Sequence, residues 1–71
     1  MDETPLSDEA RAAVVRELRA MADRLEETAD ELEEQAEGYS EPEARERLEH
    51  EASGYSQAAD DVRERADALE E

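Results

Sequence analysis

The apolar residues of this chain recur with a seven-residue spacing along two stretches that are separated by residues 38–42. Each stretch keeps this spacing for about four heptads, which is typical of a long amphipathic helix. The pattern predicts a flexible N-terminus at 1–6, helix 1 at 7–37, a turn at 38–40 and helix 2 at 41–70. At 71 residues, the chain has room for one domain.

Residues that favour helix ends support these bounds. Ser7 is the expected N-cap of helix 1. Gly38 suits the left-handed position just past a helix end. Ser40 and Glu43 have the Ser-x-x-Glu spacing of a capping box for helix 2, and Pro42 fits the first turn of that helix.

Two alternatives to these bounds stay open. Thr4-Pro5 is a rival start for helix 1. Ser53-Gly54 interrupts helix 2 and could divide it, which would give three helices. We favour one continuous helix, because a single interior glycine costs only about 1 kcal/mol.

The seam between the two helices is assigned from two apolar positions of each heptad. When the chain folds back at residue 40, facing residues have numbers that sum to about 80, so that Leu25 faces Tyr55 and Leu32 faces Leu48. The predicted fold is therefore all-α, an antiparallel two-helix hairpin of coiled-coil type. The predicted hairpin seam consists of Val14, Leu18, Met21, Leu25, Leu32, Leu48, Tyr55, Val62 and Leu69, with Ala52, Ala59 and Ala66 as small partners.

A further stripe on helix 1 is assigned to self-association. One core of this size gives only a few kcal/mol of net stability, and the chain has no Cys and one His, which excludes disulfides and a closed zinc site. A second hairpin covering the stripe would complete a dimeric four-helix bundle. Simple helix propensity is the other explanation for its alanines. The candidate oligomer interface is Val15, Ala22, Ala29 and Ala36.

The charge of the chain sets it apart from an ordinary hairpin. There are 24 acidic residues and 8 basic ones, a formal net charge of −16, and every basic residue is Arg. A disordered acidic segment would share this composition, but the regular apolar spacing favours folding. The composition resembles that of proteins from extremely halophilic, salt-in microbes such as haloarchaea. The resemblance implies a KCl-rich cytoplasm, where molar salt shortens the screening length to roughly 3 Å and strengthens folding.

The same charge narrows the expected partners. The chain lacks an apolar run near the roughly 18 residues of a membrane span, and its start lacks the features of a signal peptide, so we expect a soluble, cytoplasmic protein. Nucleic acids and anionic membranes would repel it. The expected partners are a second copy of the chain and non-specifically held K⁺ and Na⁺ ions. Any further protein partner that binds electrostatically must be basic.

Acidic residues concentrate at the turn end of the predicted hairpin. Residues 26–43 include nine acids and no base. A hydrated surface suited to high salt explains this concentration, and a docking site for a basic partner is the functional alternative. The candidate acidic docking surface is Glu26, Glu27, Asp30, Glu31, Glu33, Glu34 and Glu37.

One set of residues could be mistaken for a catalytic group. Glu46, His50 and Ser53 share a helix face, but the backbone donors of a mid-helix segment are already used, which leaves no oxyanion hole. Iron-oxidising hairpins need an inward Glu-x-x-His, and Arg47 stands three residues before His50. We therefore expect no enzyme activity, catalytic residue, metal or cofactor.

Two functions of different kinds follow from these observations. The first is a non-catalytic structural or interaction protein, a self-associating halophilic hairpin that acts as an adaptor or regulatory subunit. The alternative is an acidic inhibitor or DNA mimic that occupies the basic site of a nucleic-acid-binding protein. Binding of the second kind weakens steeply with salt, which suits molar KCl poorly.

Overall fold

Two long antiparallel helices make up the hairpin. A computed structural model describes residues 7–71, and within them α1 spans Asp8–Glu37 and α2 spans Pro42–Glu70. The two helices pack against each other along their length, which confirms the predicted all-α hairpin. The predicted flexible segment 1–6, which includes the rival helix start, lies outside the described residues.

The two ends of α1 compare differently with the sequence predictions. The backbone N–H of Ala10 donates to Ser7 Oγ at 3.1 Å, so Ser7 is the N-cap as predicted. Gly38 has φ −79° and ψ −11°, which is right-handed, and the predicted left-handed conformation is wrong. The N–H of Gly38 instead donates to the carbonyl of Gln35 at 3.0 Å, which tightens the last turn of the helix.

The start of α2 also differs from its prediction. The N-cap residue is Glu41 rather than Ser40, and no side chain caps the helix, so the predicted capping box is wrong. Pro42 occupies the first helical position, where its fixed φ favours a helix start and its missing N–H costs no hydrogen bond. The first backbone hydrogen bond runs from the N–H of Arg45 to the carbonyl of Glu41 at 3.1 Å.

Gly54 does not interrupt α2. The helix runs continuously from Pro42 to Glu70, and the three-helix alternative is excluded. A Cβ atom added at Gly54 would meet nothing within 4 Å. No close packing contact therefore requires glycine at this position.

Alanine side chains fill the contact between the two helices. On each helix the buried residues recur every seven positions, and no side chain larger than valine is fully enclosed among the described residues. Because the distance between packed helices depends on the side chains at the contact, methyl groups allow a close approach. We call this set the alanine seam: Val15, Ala22, Ala29 and Ala36 of α1 with Ala52, Ala59 and Ala66 of α2.

The alanine seam corrects the predicted arrangement of α1. The sequence placed Val14 and Met21 inside the hairpin and Ala22 and Ala29 on its outer flank. In the structure Met21 is 44% exposed and Val14 is 37% exposed, whereas Ala22 is 0% exposed and Ala29 is 2% exposed. The alanine stripe that the sequence assigns to self-association is therefore already covered by α2.

The larger apolar residues line one flank of the alanine seam. At 3.5 residues per turn they lie about 50° or 100° around each helix from the seam alanines. Leu25 and Tyr55 line one shallow groove, as a register sum near 80 requires. Val14, Met21 and Tyr55 are exposed and the others are half-buried. We call this flank the leucine face: Val14, Leu18, Met21, Leu25, Leu32, Leu48, Tyr55, Val62 and Leu69.

Replacing a seam alanine by leucine tests this arrangement. Ala29→Leu should lower the free energy of unfolding by about 1–3 kcal/mol, because the larger side chain has no room between the helices. Ala20→Leu makes the same change on the exposed surface of α1 and should shift stability by less than about 0.5 kcal/mol. Denaturant unfolding at about 2 M KCl measures both variants. An Ala29→Leu protein as stable as the wild type would contradict the alanine seam.

Candidate functional site

The flank opposite the leucine face carries ion pairs between the helices. Arg19 lies three residues before Ala22, and Glu26 lies four residues after it. Their side chains therefore leave α1 on one side of the seam, whereas those of Leu18 and Leu25 leave it on the other side. The pairs Arg19–Asp67 and Arg63–Asp23 both measure 3.2 Å. We call this flank the charged flank, and its ion pairs join Arg19 to Asp67 and Glu70, and Arg63 to Asp23 and Glu26.

Arg63 is the centre of this flank. Its side chain is 35% exposed, and it contacts carboxylates of Asp23 and Glu26 on α1 and of Asp60 on its own helix. The hydrogen bond from Arg63 lowers the pKa of Glu26, and the same bond raises the pKa of Arg63. Because exposed ion pairs contribute little to stability, we assign these contacts mainly to the alignment of the two helices.

The leucine face offers an apolar surface to a partner. Four large apolar side chains of the described residues are exposed, and Val14, Met21 and Tyr55 of this face are three of them. The fourth, Tyr39, lies in the turn. A contiguous apolar surface bordered by polar residues marks an interaction site more often than a chance exposure. The residues predicted as the hairpin seam thus remain together, but on an accessible side of the hairpin.

The candidate oligomer interface, in contrast, is buried. Ala22 and Ala29, with Val15 and Ala36, lie inside the hairpin and have no surface left for a second copy. Charge is the sequence signal that could have shown this. Arg19 and Glu26 border the alanine stripe on its far side, and burying them in the middle of a bundle would carry a large desolvation cost.

The candidate acidic docking surface is accessible. All seven of its carboxylate residues are exposed, from Glu26 to Glu37. Within the part of the chain that the structure describes, only Glu26 among them forms an ion pair, and its partner is Arg63. The surface therefore keeps most of its negative charge free for a basic partner or for hydrated cations.

The three residues that resemble a catalytic group are exposed to solvent. Glu46, His50 and Ser53 line a shallow groove along one side of α2. No hydrogen bond between side chains of residues 7–71 links them to one another. In the same range, no three His, Asp or Glu residues are arranged to hold a metal ion. The groove supplies neither an aligned nucleophile and base nor an enclosed pocket.

Comparisons with protein families, with characterised proteins and with solved structures find no match to this chain. Neither described helix is long and apolar enough to cross a membrane.

The pKa of Glu26 gives a test of the charged flank. Its carboxyl should titrate below the usual glutamate range in an NMR titration, and Arg63→Gln should move the pKa back up. The pair with Arg63 stabilises the folded protein at pH values above the pKa that Glu26 has in the unfolded chain. This stabilisation is lost as the pH falls through the lower pKa that Glu26 has in the folded protein. Arg65→Gln removes an arginine that does not contact Glu26 and serves as the control. A Glu26 pKa that is the same in the wild type and in the Arg63→Gln variant would contradict the ion pair between the helices.

Proposed function

We propose that this protein is a non-catalytic interaction protein, a self-associating helical hairpin that acts as an adaptor or regulatory subunit in the cytoplasm of a halophile. The observation that supports it most is the leucine face, which is partly exposed along both helices while the hairpin interior holds nothing larger than Val15. Covering such an apolar surface with a partner is favourable, because apolar area is removed from water.

The energetics of a lone hairpin favour self-association. Burial contributes about 0.8 kcal/mol per CH₂ group, so an interior of alanines contributes far less than an interior of leucines. Ordering costs about 1.5 kcal/mol per residue. The fully buried side chains of the single hairpin are six alanines and Val15, which supply little apolar area. A second copy would bury the leucines and supply the core of a four-helix bundle.

The charge of the chain defines the conditions for this association. Each copy brings a formal charge of −16, and two copies repel each other over the roughly 10 Å screening length of 0.1 M salt. Molar KCl shortens that length to roughly 3 Å, which removes most of the repulsion while leaving apolar burial in place. Self-association of this hairpin therefore fits a salt-rich cytoplasm.

A second candidate function rests on the acidic docking surface. Its carboxylates are exposed along α1, and six of the seven lie outside the ion pairs of the hairpin. A row of carboxylates can imitate the phosphates of a nucleic acid and occupy the basic site of a nucleic-acid-binding protein. This activity does not need self-association, so the two proposals are separable.

Light scattering on a sizing column tests self-association. At about 2 M KCl the molar mass should be near twice the 8.0 kDa of one chain, because screening allows the leucine faces to approach. Lowering the salt to about 0.1 M should reduce both the mass and the helicity. A folded protein of 8.0 kDa at every concentration would contradict the proposal of a self-associating hairpin.

Competition with DNA tests the second candidate. At about 0.1 M salt the protein should displace DNA from a basic DNA-binding protein, and the displacement should disappear at about 1 M. The triple variant Glu33→Gln, Glu34→Gln and Glu37→Gln should lose most of it. Glu9→Gln, Glu17→Gln and Glu64→Gln remove the same charge elsewhere and should lose little. Equal loss in both variants would mean that net charge, rather than a docking surface, is responsible.

A further inference from the structure

We propose that a second copy of this chain covers the leucine face, packed antiparallel so that the two turns lie at opposite ends of a four-helix bundle. This inference rests on the proposed self-association and adds which surface is used and how the copies are oriented. A symmetric dimer places the same patch of each copy against the other, so the patch must be complementary to itself.

The choice between the two flanks follows from their chemistry. The charged flank carries Arg19, Arg63 and their carboxylates, whose removal from water would cost more than their existing pairs return. The leucine face presents the exposed side chains of Met21 and Tyr55. On α1 it extends from Val14 to Leu32, a distance of about 27 Å. Apolar burial is therefore available on this side only.

Two charged residues on the outward side of the leucine face fix the orientation. Glu51 and Arg65 occupy the same heptad position of α2, and Ala58 lies midway between them. Glu51 and Ala58 line the groove that contains Leu25 and Tyr55. Glu51 and Arg65 are both exposed and take part in none of the ion pairs within the described hairpin. A two-fold axis beside Ala58 would pair each charge with its opposite.

The alternative orientation leaves these charges without partners. With the turns at the same end, α2 would face α1 of the second copy. A register sum near 80 then sets Glu51 against Thr28 and Arg65 against Val14. With the turns at opposite ends, α2 faces α2, Ala58 meets Ala58 of the second copy, and Glu51 meets Arg65 of the second copy. The antiparallel arrangement thus provides two ion pairs at this heptad position and a small residue at the closest approach of the helices.

The charge along the hairpin favours the same orientation. Residues 26–43, at the turn end, include nine acids and no base. Turns at the same end would bring two such regions together, whereas opposite ends place each beside the less acidic open end of the other copy. The arginines toward the open end are Arg11, Arg16, Arg19, Arg24, Arg63 and Arg65.

A matched pair of charge substitutions tests the surface. Met21→Glu places a carboxylate in the leucine face, whereas Ala20→Glu adds the same charge to the neighbouring exposed position on another side of α1. At about 2 M KCl, Met21→Glu should halve the molar mass of the dimer and Ala20→Glu should leave it unchanged. A wild-type monomer would refute the proposed self-association itself. A dimer that survives Met21→Glu would overturn the surface assigned here while leaving self-association in place.

Introduced thiols test the orientation without depending on a destabilised variant. The chain has no Cys, so a single substitution gives a unique cross-linking site. Under mild oxidation at about 2 M KCl, Ala58→Cys should give disulfide-linked dimers, because residue 58 of each copy lies at the two-fold axis. Tyr39→Cys in the turn should stay unlinked, since helices of about 45 Å separate the two turns.

The pattern of cross-links decides between the arrangements. Linking through Ala58→Cys alone supports the antiparallel dimer. Linking through Tyr39→Cys, alone or as fast as through Ala58→Cys, would place the turns together and overturn the proposal. If the wild type is a dimer and neither the Ala58→Cys nor the Tyr39→Cys variant forms a disulfide-linked dimer, another surface is used.

Discussion

The fully buried part of the contact between α1 and α2 consists of alanine and valine side chains, and the other features of the molecule depend on it. Six alanines and Val15, repeated every seven residues, occupy the interior of the hairpin. Because no leucine separates the helices, their backbones can approach closely, and the leucines are displaced to one flank. There each leucine has one side against the neighbouring helix and another facing outward. The hairpin therefore obtains its shape from the seam, but it obtains little buried apolar area.

The two flanks of the seam then take different roles. On one, Arg19 and Arg63 reach across to carboxylates of the opposite helix. On the other, apolar side chains from both helices line one flank, and Glu51 and Arg65 lie on its outward side on α2. An amphipathic unit of this kind fits the proposed four-helix bundle, in which a second copy would supply the other apolar layer.

Sequence spacing predicted the fold class, both helices and the register, because heptad repeats and a turn of fixed position are local signals. It did not predict which face of α1 meets α2. Around the helix, the heptad position of Leu25 lies between those of Met21 and Ala22. A regular seam can therefore combine Leu25 with the stripe of Met21 or with the stripe of Ala22. The choice depends on contacts between distant residues, such as Arg63 with Glu26. The backbone at Gly38 and the helix start after Ser40 likewise depend on how the chain crosses between the helices.

In the proposed dimer, alanines join the helices within each chain and leucines join the two chains. Isotope-filtered nuclear Overhauser spectroscopy on a mixture of labelled and unlabelled protein at about 2 M KCl tests it most directly. We expect contacts between chains to involve Met21, Leu25 and Tyr55, while the methyl groups of Ala29 and Ala59 show contacts within one chain only. Contacts between chains at Ala29 or Ala59 would contradict the account.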